Sequence, residues 1–263
     1  MTWLIQVSAA IYLASGLGAL LGLVLPSARL LRGAISGLAL GAIAQGLVFA
    51  TLHEREPVPS LTDLPQVVAF MVWIAAIALV TLNFRFRLGG LVAVMGPVAF
   101  LAVILSGLDW TPTTNSLSEQ GGSLPHVHIL LSSSGLGLLG FSGLTGFFYL
   151  LEHRRLKRKR LGSKRFQWPS LEALDRVGLA SLTLGFTLLS LGLLTGAAWV
   201  RDSQGQLWTG SSHAMWTLVA WSIYAGLLAV RFVGRQSARQ AAATALGGFV
   251  FLLFAVLGVG AFQ

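Results

Sequence analysis

Long apolar stretches alternate with short polar breaks along the whole chain. A transmembrane helix needs about 20 consecutive, mostly apolar residues. Eight stretches meet this requirement, near residues 3–25, 34–53, 65–84, 88–107, 127–151, 176–199, 212–232 and 240–262. The pattern predicts an all-α fold, a polytopic transmembrane helical bundle of about eight spans. Pro97 lies inside the fourth span, where it predicts a kink.

Composition supports a membrane protein and excludes several other classes. Hydrophobic residues make up 55% of the chain and charged residues 10%, whereas soluble domains average about 25% charged residues. The absence of cysteine excludes disulfides and thiolate metal sites. The segment Met1–Ile5 has no basic residue, so we interpret the first stretch as a retained helix and not as a signal peptide.

The distribution of Lys and Arg predicts the orientation of the bundle. One set of alternate loops contains nearly all of the basic residues, including the run 154–165, whereas the other set contains only Arg55 and Arg201. Basic loops stay on the cytoplasmic side of a membrane, so both termini are predicted to lie on the outer side. The net charge of +9 therefore reflects topology, and no recognition motif points to nucleic acid.

No separate soluble domain is predicted. The longest outer break, residues 109–125, is too short to fold alone. We therefore expect a single integral membrane domain over residues 1–263, with four spans in 1–107 and the remaining four in 126–263. The basic run is expected to be a solvated extension of the fifth helix that also attracts anionic lipid headgroups. Ser170 is expected to cap an amphipathic turn that leads into the sixth span.

Four of the five histidines fall at the predicted outer ends of spans: His53, His126, His128 and His213. Imidazoles brought to one membrane depth by three helices suit metal or haem ligation, because axial haem ligands approach from opposite sides of the ring. His126 and His128 are two residues apart, so only one of them can face the bundle. For each histidine alone, an interfacial hydrogen-bonding role is an equal alternative.

Further residues fit a haem site on the outer side. Trp216 follows His213 by three residues, and its flat ring would suit a macrocycle. Arg55 and Arg201 could pair with haem propionates, and the alternative for both is that they anchor helix ends at the interface. No predicted span contains Asp or Glu of the kind that proton-coupled carriers use, which disfavours an ion-coupled transporter.

The second half of the sequence resembles the cytochrome c assembly family, the group of membrane proteins that contains CcsA and CcmC, and is most similar to its YpjD/HemX-like branch. The residues that carry this resemblance are H-I-L-L-S at 128–132, P-S-L-E-A-L-D-R at 169–176, G-F-T-L-L-S-L-G-L-L-T-G-A-A-W at 185–199, W-T-L-V-A-W-S-I-Y-A at 216–225 and G-G-F-V-F-L-L-F-A-V-L-G-V at 247–259.

The resemblance implies that haem is bound and presented at the outer membrane face in support of cytochrome maturation. The outer histidine of the family falls on His128. The family's tryptophan-rich segment falls on W-T-G-S-S-H-A-M-W, which retains Trp208 and Trp216 and has His213 where a lysine is usual. A histidine that CcsA-type members have in the next span is replaced by Ala229.

We therefore expect a haem-handling protein of the bacterial inner membrane that assists cytochrome c biogenesis and is not an enzyme. Its expected cofactor is haem, with the iron bound by His128 and His213, then His53 and last His126, beside Trp208 and Trp216. Expected partners are haem, membrane lipid and proteins of cytochrome maturation or haem synthesis. Two alternatives are a membrane scaffold or regulator without bound haem, and a small-molecule or metal transporter.

Overall fold

The computed structural model describes residues 2–51, 64–108, 124–157, 169–205, 210–234 and 236–261. They form eight α-helices, and a short 3-10 turn, Gly89–Leu91, leads into the fourth. The helices are α1 (Thr2–Val24), α2 (Ala28–Ala50), α3 (Leu64–Phe86), α4 (Val92–Ser106), α5 (Leu124–Lys157), α6 (Leu171–Gln204), α7 (Ser212–Phe232) and α8 (Ala238–Ala261). Each span is long and apolar enough to cross a membrane, so the predicted all-α fold with eight spans is confirmed.

Two helices extend well beyond the spans that hydropathy predicts. α5 and α6 each contain 34 residues, which corresponds to about 51 Å at 1.5 Å per residue. The hydrocarbon core is only about 30 Å thick, so the polar ends of both helices project past it. The predicted cap at Ser170 is confirmed, because its hydroxyl accepts a hydrogen bond from the Ala173 amide at 3.1 Å. α6 begins at the next residue, Leu171, ahead of the predicted span 176–199.

The chain forms two compact units, one of residues 1–116 with 154–173 and one of residues 117–153 with 174–263. In the first unit, small residues let α1 and α4 approach closely. A β-carbon added at Gly96 would lie 2.6 Å from the Cα of Gly16. Pro97 lies within α4 and packs on the same glycine, and the kink expected there stays a prediction.

Buried polar side chains link α1, α2 and α3 within the first unit. The Tyr12 hydroxyl donates to Gln45 Oε1 at 2.7 Å, and Gln45 Nε2 donates to the Ala69 carbonyl at 3.0 Å. Trp73 Nε1 donates to the Ala42 carbonyl at 2.7 Å. Buried polar groups need such partners, because an unpaired polar group is costly away from water.

The second unit brings α5, α6, α7 and α8 together through glycines and a few polar contacts. A β-carbon at Gly135 of α5 would lie 2.6 Å from the Leu189 amide nitrogen of α6. Phe249 of α8 packs over Gly140 and Gly143 of α5. Trp221 of α7 donates through Nε1 to the Ser190 hydroxyl of α6 at 2.9 Å. These contacts fix the α5–α6 pair that holds the candidate site.

Candidate functional site

His128 lies near the start of α5, half-buried against α6. Its Nδ1 is 2.7 Å from the carbonyl oxygen of Gly192. A carbonyl oxygen can only accept a hydrogen bond, so the contact assigns the proton to Nδ1. In the neutral imidazole the other ring nitrogen, Nε2, then has the lone pair. Metal-ligating histidines usually donate the N–H of their other ring nitrogen to a group such as a backbone carbonyl, as Nδ1 of His128 does here.

Ser132 lies one helical turn after His128 and completes the polar surroundings of the ring. Its Oγ is 3.4 Å from His128 Nδ1, a longer contact than the one to Gly192. Within the described part of the chain, both hydrogen bonds of this imidazole are made at Nδ1. The polar contacts therefore orient the ring without involving Nε2.

Two glycines of α6 make the close approach of His128 to the helix backbone possible. A β-carbon at Gly196 would lie 2.7 Å from His128 Nδ1 and 2.8 Å from Cε1, closer than real β-carbons come to other atoms. A β-carbon at Gly192 would lie 2.9 Å from the Ser132 amide nitrogen. Residues four apart share a helix face, so the pair forms one smooth surface under the imidazole and the following turn of α5.

Trp199 stacks near the ring of His128, toward the C-terminal end of the same α6 face. The two ring centroids are 6.4 Å apart and the planes are inclined by 29°. Trp199 follows Gly196 by three residues, so a helix places it beside the glycine surface. Both side chains are half-buried. The imidazole is thus bounded by a backbone carbonyl, a glycine surface and an aromatic ring.

The structure describes only some of the remaining predicted site residues. His126 is exposed, in agreement with the expectation that only one member of the pair faces the helices. His213 is the second residue of α7, and its side chain is not described. His53, Arg55 and Trp208 lie outside the described residues. The predicted pairing of His128 with His213 at one iron stays a prediction.

Trp216 and Arg201 have positions that sequence reasoning did not anticipate. Trp216 is 38% exposed, and its ring contact is with Phe251 of α8, at a centroid distance of 6.2 Å. The ring that stacks near His128 is Trp199. The predicted place of Trp216 beside a macrocycle stays a prediction. Arg201 is not in a loop, because α6 continues to Gln204, and its side chain is exposed in the last turn. Its predicted pairing with a propionate stays a prediction.

Sequence reasoning missed four residues of the site: Ser132, Gly192, Gly196 and Trp199. The signal was available as the spacing G-x-x-x-G-x-x-W on α6 and H-x-x-x-S on α5. Each spacing places its members on one helix face. Such patterns are common in membrane helices, and the pairing of these two faces is visible only in the folded chain.

The donor set at His128 fits haem better than a bare metal ion. Among the described residues, no three His, Cys, Asp or Glu side chains come together as a metal site. Haem iron is held mainly by its macrocycle and takes only one or two axial side chains from the protein. A single imidazole with Nε2 available is sufficient for one of these positions.

Comparison with known proteins identifies the family. A family model described as "Cytochrome C assembly protein" matches residues 61–263. The chain belongs to the cytochrome c assembly protein family. The match includes α3 and α4, so the similarity begins earlier in the chain than the residues near 126 where the sequence motifs start. The assignment to the YpjD/HemX-like branch stays a prediction.

Several curated proteins named "Cytochrome c biogenesis protein CcsA" are similar to this chain, some over most of its length and others over a shorter segment. The protein of Guillardia theta is 24% identical over 221 residues, 76% of this chain and 72% of that protein. The protein of Prochlorococcus marinus strain MIT 9303 is 36% identical over 88 residues, 34% of this chain and only 28% of that protein. The protein of Adiantum capillus-veneris is 30% identical over 122 residues, 43% of this chain and 39% of that protein. No solved structure matches this chain.

Proposed function

We propose that this protein binds and handles haem in the membrane in support of cytochrome c biogenesis, with His128 as a haem-iron ligand and no catalysis of its own. The proposed role in cytochrome c biogenesis is supported by the family to which the chain belongs and by the names of its relatives. The observation that carries the residue assignment is the 2.7 Å contact from His128 Nδ1 to the Gly192 carbonyl. It leaves Nε2 free to bind iron.

The residues of the site would each contribute to holding the macrocycle. His128 would bind the iron through Nε2 from α5. His213, at the start of α7, is proposed as the second ligand, then His53 and last His126. Trp208 and Trp216 would cover the ring, and Arg55 or Arg201 would pair with its propionates. Haem, when bound, would supply an iron that changes oxidation state.

We further propose the outer face of a bacterial inner membrane as the location of this site. The eight membrane-crossing helices and the one-sided distribution of basic residues support this orientation. Proteins of cytochrome maturation or haem synthesis are the proposed partners. Lipid would contact the bundle directly, because many large apolar side chains are exposed, among them Leu194 and Phe254.

The test is an absorption spectrum of the detergent-purified protein with added haem, first oxidised and then reduced. Wild type should show a Soret band and split bands on reduction, both of which weaken in His128→Ala. His153→Ala is the matched control, because His153 is at the other end of α5 and stacks on Tyr149. Added imidazole should restore the bands of His128→Gly.

Either of two results would reject the proposal. If wild type shows no iron–imidazole bands with added haem, the protein does not bind haem in this way. The alternative of a membrane scaffold or regulator without haem would then be favoured. If the bands persist unchanged in His128→Ala, haem binds elsewhere and His128 is not a ligand.

A further inference from the structure

We infer that Gly192, Gly196 and Trp199 of α6 are positioning residues that fix the tautomer and the plane of the His128 imidazole, so that Nε2 is the atom offered to iron. This inference rests on the proposed function for its ligand. The orientation of the ring, however, belongs to the protein without haem and can be measured separately. None of the three residues is among the site residues that the sequence predicts.

The carbonyl of Gly192 selects the tautomer. In a neutral imidazole one nitrogen is protonated and the other has a lone pair, and the hydrogen bond made by the first determines which is which. The Gly192 oxygen accepts at 2.7 Å, whereas Ser132 Oγ is 3.4 Å away and can serve either as donor or as acceptor. The shorter contact, to a group that can only accept, places the proton on Nδ1.

Gly196 determines how closely the ring can approach that carbonyl. The Nδ1 and Cε1 atoms of His128 occupy the volume that a side chain at position 196 would fill. An alanine there would bring its β-carbon within 2.7 Å of Nδ1, so the ring would have to move away from α6. The hydrogen bond to Gly192 would lengthen as a result, and the proton could shift to Nε2.

Trp199 restrains rotation of the ring. Its indole lies over the imidazole with an inclination of 29° and a centroid distance of 6.4 Å. Rotation of the imidazole about its Cβ–Cγ bond would bring its edge toward the indole and break the Gly192 contact. The near-parallel stack therefore keeps the Nδ1–H directed at the carbonyl. A phenyl ring should preserve this restraint, whereas an aliphatic side chain should weaken it.

The first experiment measures the tautomer without haem. Protein labelled with ¹⁵N at histidine is purified in detergent, and the ring nitrogens of His128 are assigned with His128→Gln. Wild type should show a protonated Nδ1 and an unprotonated Nε2. Gly196→Ala should populate the other tautomer. Gly226→Ala is the matched control, because a β-carbon at this position of α7 would have no atom within 4 Å.

The second experiment adds haem to the same proteins. Substituting a residue that orients a metal-binding histidine typically lowers metal affinity by about 10–100-fold. We expect a loss of haem affinity in this range for Gly196→Ala. Trp199→Leu should alter the ferric EPR g values, which depend on the plane of the axial imidazole, and Trp199→Phe should restore them. Thermal unfolding of each variant separates a loss of site geometry from a loss of fold.

The two experiments distinguish failure of the inference from failure of the proposed function. If Nε2 is protonated in wild type, or if Gly196→Ala and Trp199→Leu leave both the tautomer and the haem spectra unchanged, the inference is overturned even though haem binds. If the tautomer is as inferred but wild type shows no haem bands, the proposed function fails, and with it the role of these residues toward iron.

Discussion

Arg231 of α7 donates from Nη2 to both carboxylate oxygens of Asp175 of α6, at 2.9 and 2.8 Å. The side chains are 14% and 28% exposed, respectively, so the pair is largely shielded from water. It borders a cavity of about 30 Å³ that Tyr149 and Gln236 also line. This ion pair joins α6 and α7, which the hydrogen bond from Trp221 to Ser190 also links.

Removing either member of this pair should destabilise the second unit. Arg231→Ala and Asp175→Ala should each lower the free energy of unfolding by about 1.5–3 kcal/mol, the range for hydrogen bonds to charged groups. The double variant should cost less than the sum, because neither charge is then left unpaired. Unfolding in mixed micelles measures these values, and Arg239→Ala is the control at an exposed arginine. Additive losses would show that the two side chains do not interact.

The Tyr12–Gln45 hydrogen bond should stabilise the first unit. Tyr12→Phe removes the hydroxyl that donates to Gln45 Oε1. Both residues are almost completely buried, so water cannot easily replace the lost donor. Hydrogen bonds between membrane helices contribute about 0.6–2 kcal/mol, and a loss in this range is expected from chemical unfolding. Thr81→Val is the control, because this exposed hydroxyl donates to carbonyls of its own helix, at Ile77 and Ala78. An equal effect of both substitutions would contradict the prediction.

Gly135 should be the most sensitive glycine of the α5–α6 contact. In Gly135→Ala the new methyl group would meet backbone atoms of Leu189 and Gly185 at 2.6 and 2.8 Å, and backbone cannot move aside as a side chain can. Overpacking of this kind costs about 1–3 kcal/mol, and the thermal midpoint should fall. Gly247→Ala of α8 meets no atom within 4 Å and should be neutral or stabilising by up to about 1 kcal/mol. Equal midpoints for the two variants would refute a close contact.

The predicted orientation can be tested directly, because the chain has no cysteine of its own. A membrane-impermeant maleimide added to intact spheroplasts should label Ser203→Cys, near the predicted outer end of α6. It should not label Ser237→Cys, in the predicted cytoplasmic loop before α8, until the membrane is opened. Both serines are exposed, so their reactivity should be equal in detergent. The opposite labelling pattern would invert the topology and place His128 on the cytoplasmic side.

The number and approximate limits of the spans were determined by the sequence alone. A stretch of about 20 apolar residues has few alternatives in a membrane, because its backbone must satisfy its own hydrogen bonds and a helix does so locally. The helix cap at Ser170 is also determined locally, because its hydroxyl bonds to an amide only three residues along the chain. The extension of α5 into the basic residues from Arg154 was predicted and is confirmed. The extension of α6 past residue 199 was not predicted, because hydropathy falls at residues such as Arg201 although arginine continues a helix readily.

The neighbours of His128 were decided only by the tertiary structure. Sequence identified the imidazole, because a polar ring at the end of an apolar span is conspicuous. It could not identify Gly192, Gly196 or Trp199, because helices that are apolar on every side do not reveal which faces will meet. The pairing depends on the close approach of two backbones over 60 residues apart in the chain, and the 2.7 Å contact of His128 with Gly192 is its result.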